Sequence, residues 1–250
     1  MIKRTAAVFG WLVAGHLVLG GLYWALLQVP EANVLMLATS LLIVLGMLWW
    51  LGVVEGAGLT AWDEGLGRTG IGRAARRAWL VIVPLVVFGL VWMLTANFYS
   101  WLARYGSQID AWIILKTGWT KTAALFAAIR VLIGIVRWVI GLSLALALFS
   151  AALRDGLRGL MSVAWLRRAF GWRQVIVVLA ALAVGFWLPW KYVNWRPEGL
   201  TLGTWMEPAF ASAKLAVMFL WANVAWTVVL RAVGHERVHR DVREGTTASA

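Results

Sequence analysis

The sequence predicts an all-α, polytopic membrane protein with six transmembrane helices, and three observations carry that prediction. Hydrophobic residues make up 62% of the 250 and charged residues only 14%, whereas a soluble domain is nearer half apolar and a quarter charged. Six mostly apolar runs reach the ~20 residues needed to cross a hydrocarbon core about 30 Å thick. Lys and Arg crowd alternate gaps between those runs. Lys3 and Arg4 come first, then Arg68, Arg73, Arg76 and Arg77. Arg154, Arg158, Arg167, Arg168 and Arg173 follow, and last Arg231, Arg237, Arg240 and Arg243. The intervening gaps hold only Arg104, Lys116, Lys121, Lys191 and Arg196. Basic residues gather on the cytoplasmic side of membrane proteins, so the alternation places both termini in the cytoplasm.

The elements follow in order as one transmembrane domain over 1–233 and a cytoplasmic tail over 234–250. Span 1 covers 6–27; its apolar stretch exceeds the h-region of a signal peptide and lacks an A-x-A site, so it reads as a retained helix. The turn 28–32 leads to span 2 over 33–54. A Gly- and Arg-rich inner loop, 55–77, precedes span 3 over 78–99. The outer segment 100–121 contains the apolar run 111–115, too short to cross and assigned to the interface. Span 4 covers 122–150, and the Arg-rich inner segment 151–173 reads as an amphipathic surface helix. Span 5 covers 174–193, the outer loop 194–208 carries Pro197 and Pro208, and span 6 covers 209–233. The order suggests three pseudo-repeated hairpins, each opened by a basic pair: Lys3-Arg4, Arg76-Arg77 and Arg167-Arg168. Gly65-Leu66 precedes the second pair by the same spacing at which Gly156-Leu157 precedes the third.

The formal net charge of +12 points to anionic lipid rather than nucleic acid, because the basic residues flank apolar runs and form no contiguous patch. Each contributes about 1 kcal/mol near an anionic surface. Arg73, Arg76, Arg77, Arg167 and Arg168 are the expected inner-face lipid contacts. The chain has no cysteine, which excludes disulfides, thiolate metal sites and S-acylation. A content rich in Ala, Gly, Arg and Trp suits a GC-rich bacterium, and the expected location is its inner membrane.

Few residues offer chemistry. His235-Glu236-Arg237-Val238-His239 matches the zinc motif H-E-x-x-H, but catalytic zinc needs a third protein ligand. The i,i+4 pairs Glu236/Arg240, Arg237/Asp241 and Arg240/Glu244 fit a solvated helix end instead. Gly65, Gly67, Gly70 and Gly72 resemble a dinucleotide fingerprint without the strand that must precede one. No metal and no cofactor is expected. Arg137 stands inside span 4, where an arginine costs about 2.5–3.5 kcal/mol at the centre. Counted along the helices, it shares an outer layer with Arg130, Lys214 and Glu207, among Trp187, Trp190 and Trp195. Either these cations snorkel outward or they form a Trp-walled ligand- or lipid-binding pocket. His16 lies near the middle of span 1, where no polar partner is evident, and reads as a hydrogen-bonded histidine at a helix contact. Glu55 is assigned to the inner end of span 2, which leaves no acid mid-membrane and takes weight from ion-coupled transport.

These observations lead to a non-catalytic inner-membrane protein, an accessory or scaffold subunit of a membrane complex that holds lipid at its outer face. Its expected partners are membrane lipids with anionic headgroups and other membrane chains, not nucleic acid. The alternative is a small transporter or channel for an anionic or lipid-like substrate.

Overall fold

The computed structural model describes residues 2–30, 33–195, 203 and 205–234. Arg196, the His235–His239 motif and the tail beyond it lie outside the described residues. Six helices long and apolar enough to cross a membrane are present, and no strand occurs among the described residues. Span 1 is Ile2–Leu27 and span 2 is Val34–Glu64. Span 3 is built from Arg68–Arg77, a 3-10 turn over Ala78–Val81 and the helix Ile82–Thr117. Span 4 runs from Thr122 to Asp155 with a π-helical stretch at Ile135–Ile140. Span 5 runs from Trp172 to Asn194 with a second π-helical stretch at Ala183–Trp187, and span 6 is Met206–Gly234.

Three boundaries differ from the sequence reading, each for a physical reason. Span 2 does not end at 54 but continues as helix through Glu64. The glycines that suggest a loop there serve packing: a Cβ at Gly56 would stand 3.1 Å from the Ala74 Cβ, and one at Gly58 would stand 3.2 Å from Leu230. The helix stops at Gly65, whose φ of 79° favours glycine. Span 3 likewise continues through the segment read as interfacial. Its 36-residue upper helix, Ile82–Thr117, is about 54 Å long at 1.5 Å per residue. Arg104, Gln108 and Asp110 mark the exit from the apolar layer without breaking the helix, and the stop comes only at Gly118 with φ 69°. The Arg-rich segment after span 4 is two short helices, Leu157–Met161 and Ala164–Ala169, in place of one surface helix. Gly156, with φ 67°, sets them off from span 4. Around them Leu157, Met161, Val163, Phe170 and Trp172 are exposed beside the arginines, the composition of a segment lying at a membrane surface.

Spans 1 and 2, 3 and 4, and 5 and 6 pair as neighbours in space. Span 2 also touches spans 3, 4 and 6, and span 4 touches span 5, so spans 2 to 6 close a ring with span 1 packed outside spans 2 and 6. At the end of the bundle that carries the arginine clusters, here the basic end, the ring is filled. Val8, Leu12, Val54, Leu59, Phe149, Leu153, Leu230 and Val233 form the core there. Small residues set the spacing, as between packed membrane helices. A Cβ on Gly52 would lie 2.4 Å from the Ala78 carbonyl oxygen, and one on Gly15 would lie 2.5 Å from a Val54 methyl.

Candidate functional site

Above that core spans 2 to 6, with His16 of span 1 at one edge, frame a partly open chamber of about 670 Å³. Its volume falls within the about 300–1,000 Å³ usual for small-molecule sites. Val81, Leu146, Phe149, Val178 and Val229 belong both to the core and to the chamber wall. Pro84, Phe88, Leu142, Leu182 and Phe219 continue the apolar lining. No Lys or Arg is among the described residues that line it.

One corner is polar. His16 Nδ1 meets Asn223 Oδ1 at 2.7 Å, and His16 Nε2 meets Glu55 Oε1 at 2.9 Å. Trp226 Nε1 donates to Glu55 Oε2. The Asn223 amide nitrogen donates to the Phe219 carbonyl at 2.9 Å, so its oxygen faces the imidazole and accepts. His16 therefore carries a proton on Nδ1. A single further proton lies in the His16–Glu55 hydrogen bond, giving either imidazolium with carboxylate or imidazole with carboxylic acid. Both arrangements have no net charge, which suits a pair set among apolar side chains. His16 is twelve residues beyond Arg4 and eleven short of Leu27, about 18 and 16 Å along the helix, so the corner lies near the middle of the span.

This corner corrects two readings of the sequence. His16 does have polar partners at its depth, and Glu55 is not at a helix end but buried inside span 2, 4% exposed. Placing the helix end at 54 pushed Glu55 out of the membrane and hid the pair. The signal was present: Val53, Val54, Ala57, Leu59, Ala61 and Trp62 continue an apolar helix on both sides of Glu55. Asn223 and Trp226, three apart on one face of span 6, were missed as well; an amide within a span is itself a cue.

The residues singled out from the sequence lie elsewhere and in three separate places. Arg137, in the π-helical stretch of span 4, donates from Nε to Thr95 Oγ1 at 3.0 Å and stands over the Trp92 ring at 4.5 Å. It ties span 4 to span 3. Arg130 is exposed and lines a second cleft of about 400 Å³ between spans 3 and 4, with Tyr99, Asp110 and Thr122. Lys214 is buried and donates to the Val193 carbonyl at 2.7 Å and to the Trp195 carbonyl. It lies over Tyr192 and Phe210. Lys214 thus caps the end of span 5, a favourable place for a cation, and does not snorkel. Glu207 accepts from the Gly203 N–H at 3.1 Å. Trp187 packs beneath the Lys191 ammonium, Trp190 stacks on Phe186, and Trp195 stacks on Tyr192. All three tryptophans are exposed.

At the basic end, Arg77 is drawn inward and donates to the Leu153 carbonyl at 3.2 Å and to the Arg154 carbonyl. Arg76 and Arg167 are exposed, while Arg73 and Arg168 are half-buried. Among the described residues no group of three His, Cys, Asp or Glu could hold a metal ion.

Fold and chamber together define a six-helix, multi-pass membrane protein with an apolar compartment at mid-depth. No family model matches the chain, and neither a curated protein nor a solved structure matches it.

Proposed function

We propose that this chain is a non-catalytic bacterial inner-membrane protein that holds a lipid-like molecule inside its helical bundle, as a small carrier or as a lipid-dependent subunit of a membrane complex. The chamber carries this reading: it is large, apolar, mid-membrane and equipped with one hydrogen-bonding corner, the composition expected of a small-molecule site. Of the two substrate classes a transporter of this kind could take, the lipid-like one is favoured, because no described Lys or Arg lines the chamber and the His16 imidazole there is already paired with Glu55. The distribution of arginines supports an orientation with both termini and the basic end in the cytoplasm. Arg76 and Arg167, exposed at that end, are placed to meet anionic headgroups.

Native mass spectrometry of the chain in mild detergent tests the reading. A co-purifying lipid is expected, with occupancy reduced at least tenfold by Ala222→Trp, which projects into the chamber from span 6. A folded chain without bound lipid, or unchanged occupancy in Ala222→Trp, contradicts it.

A further inference from the structure

We infer that the chamber's ligand is an uncharged lipid alcohol whose hydroxyl donates a hydrogen bond to the Glu55–Asn223 corner, an inference that rests on the chamber's being a lipid site. Two observations support it. The first is charge. Glu55 lines the chamber, no described Lys or Arg does, and among the described lining residues the one group able to carry a positive charge is the His16 imidazole, already paired with Glu55. A fatty acid anion placed there would be a buried charge without a counter-ion, which is strongly disfavoured.

The second is the remaining hydrogen-bonding capacity. Both imidazole nitrogens are engaged, by Asn223 and Glu55. The Trp226 N–H is spent on Glu55. One Asn223 N–H is spent on Phe219. What remains is one further lone pair on each Glu55 oxygen and one on Asn223 Oδ1, against a single amide N–H. This balance holds wherever the shared proton sits, since Glu55 and His16 exchange donor and acceptor roles only with each other. A corner with three acceptor positions and one donor selects a head that donates. Apolar walls on the other sides take a hydrocarbon body. A hydroxyl on a long chain or ring system meets both demands, and an ether or ester of the same length does not.

The test is a competition on the unaltered full chain in mild detergent, read by native mass spectrometry, among hexadecanol, hexadecyl methyl ether and palmitate at pH 8. Hexadecanol is expected to bind at least tenfold more tightly than either rival, about 1.4 kcal/mol. Glu55→Gln, which replaces one acceptor oxygen by an amide donor, is expected to shrink that preference to threefold or less, through weaker hexadecanol binding, tighter ether binding or both. Because the ligand series needs no variant, it decides the question even where Glu55→Gln does not accumulate. Equal binding of the three probes, all weakened by Ala222→Trp, overturns the hydroxyl inference and leaves the chamber as a lipid site. Tightest binding by palmitate overturns it in favour of an anion. Binding of no probe, or binding indifferent to Ala222→Trp, removes the chamber reading itself.

Discussion

The two ends of the bundle are built on different principles. From the basic end up to about the level of the His16–Glu55 pair the helices meet through Gly15, Gly52, Gly56 and Gly58, close enough that added methyl groups would press on neighbouring side chains or backbone. Most of the fully buried side chains lie there. Arginines seal the surface by donating to helix carbonyls, Arg4 to Trp62 at 2.8 Å and Arg77 to Leu153 and Arg154. At the opposite end few residues are buried, Leu102, Thr122, Ile133 and Lys214 among them. Contacts there are made by rings: Trp92 with Trp138, Trp138 with Phe186, Phe98 with Trp101, Tyr192 with Trp195. Single cations stand on those rings. The chamber falls at the junction. Small residues can bring helices together without leaving space, whereas large flat side chains bridge helices that stay apart, so a cavity forms where one regime gives way to the other.

Variants can break this contrast, in descending size of effect. Gly52→Leu forces a side chain onto the Ala78 backbone, where a Cβ alone would sit 2.4 Å from the oxygen. Such overpacking costs about 3 kcal/mol or more, and the folded yield and thermal midpoint in detergent should fall steeply. Gly89, where an added Cβ meets nothing within 4 Å, is the control, and Gly89→Leu should leave both unchanged. Arg77→Ala removes the donor to two carbonyls at the end of span 4. A loss of about 1–3 kcal/mol is expected, seen as a lower midpoint in chemical unfolding and faster proteolysis in the segment 156–171.

At the aromatic end the effects are smaller and local. Lys214→Met frees the carbonyls of Val193 and Trp195; about 1 kcal/mol is expected. Amide exchange at the end of span 5 should rise while exchange around Leu153 stays as it is. Arg137→Leu removes one hydrogen bond to Thr95 and the stacking on Trp92, but also the cost of a cation within the membrane. The two nearly offset, so the midpoint should move by less than about 1 kcal/mol equivalent. A collapse of the fold in Arg137→Leu, with Gly52→Leu tolerated, would reverse the contrast between the ends.

The number of spans was legible because apolar length is a quantity that adds along the chain. Six helices follow from that alone. Helix ends were less legible, since Gly56 and Gly58 look the same in a loop as in a tight helix contact; only the facing residues, Ala74 and Leu230, tell them apart. The site was least legible. His16, Glu55 and Asn223 come from spans 1, 2 and 6, and a single sequence does not say which polar residues share a depth until the helix ends are right. Arg137 and Lys214 attract attention by being charged in apolar surroundings, yet each is satisfied locally by a hydroxyl, a ring or a pair of carbonyls. Cost of burial marks a residue as constrained; it does not distinguish a binding group from a clamp.

The central claim, an apolar chamber at mid-depth open to lipid-like molecules, is tested most directly by alkylation, which is clean because the chain has no cysteine of its own. Ala222 lines the chamber, whereas Ala147 is 1% exposed in the packed end. With a long-chain alkyl maleimide in mild detergent, Ala222→Cys should react at least tenfold faster than Ala147→Cys, and added hexadecanol should slow it. Equal rates at the two positions, with both variants folded, would contradict the chamber.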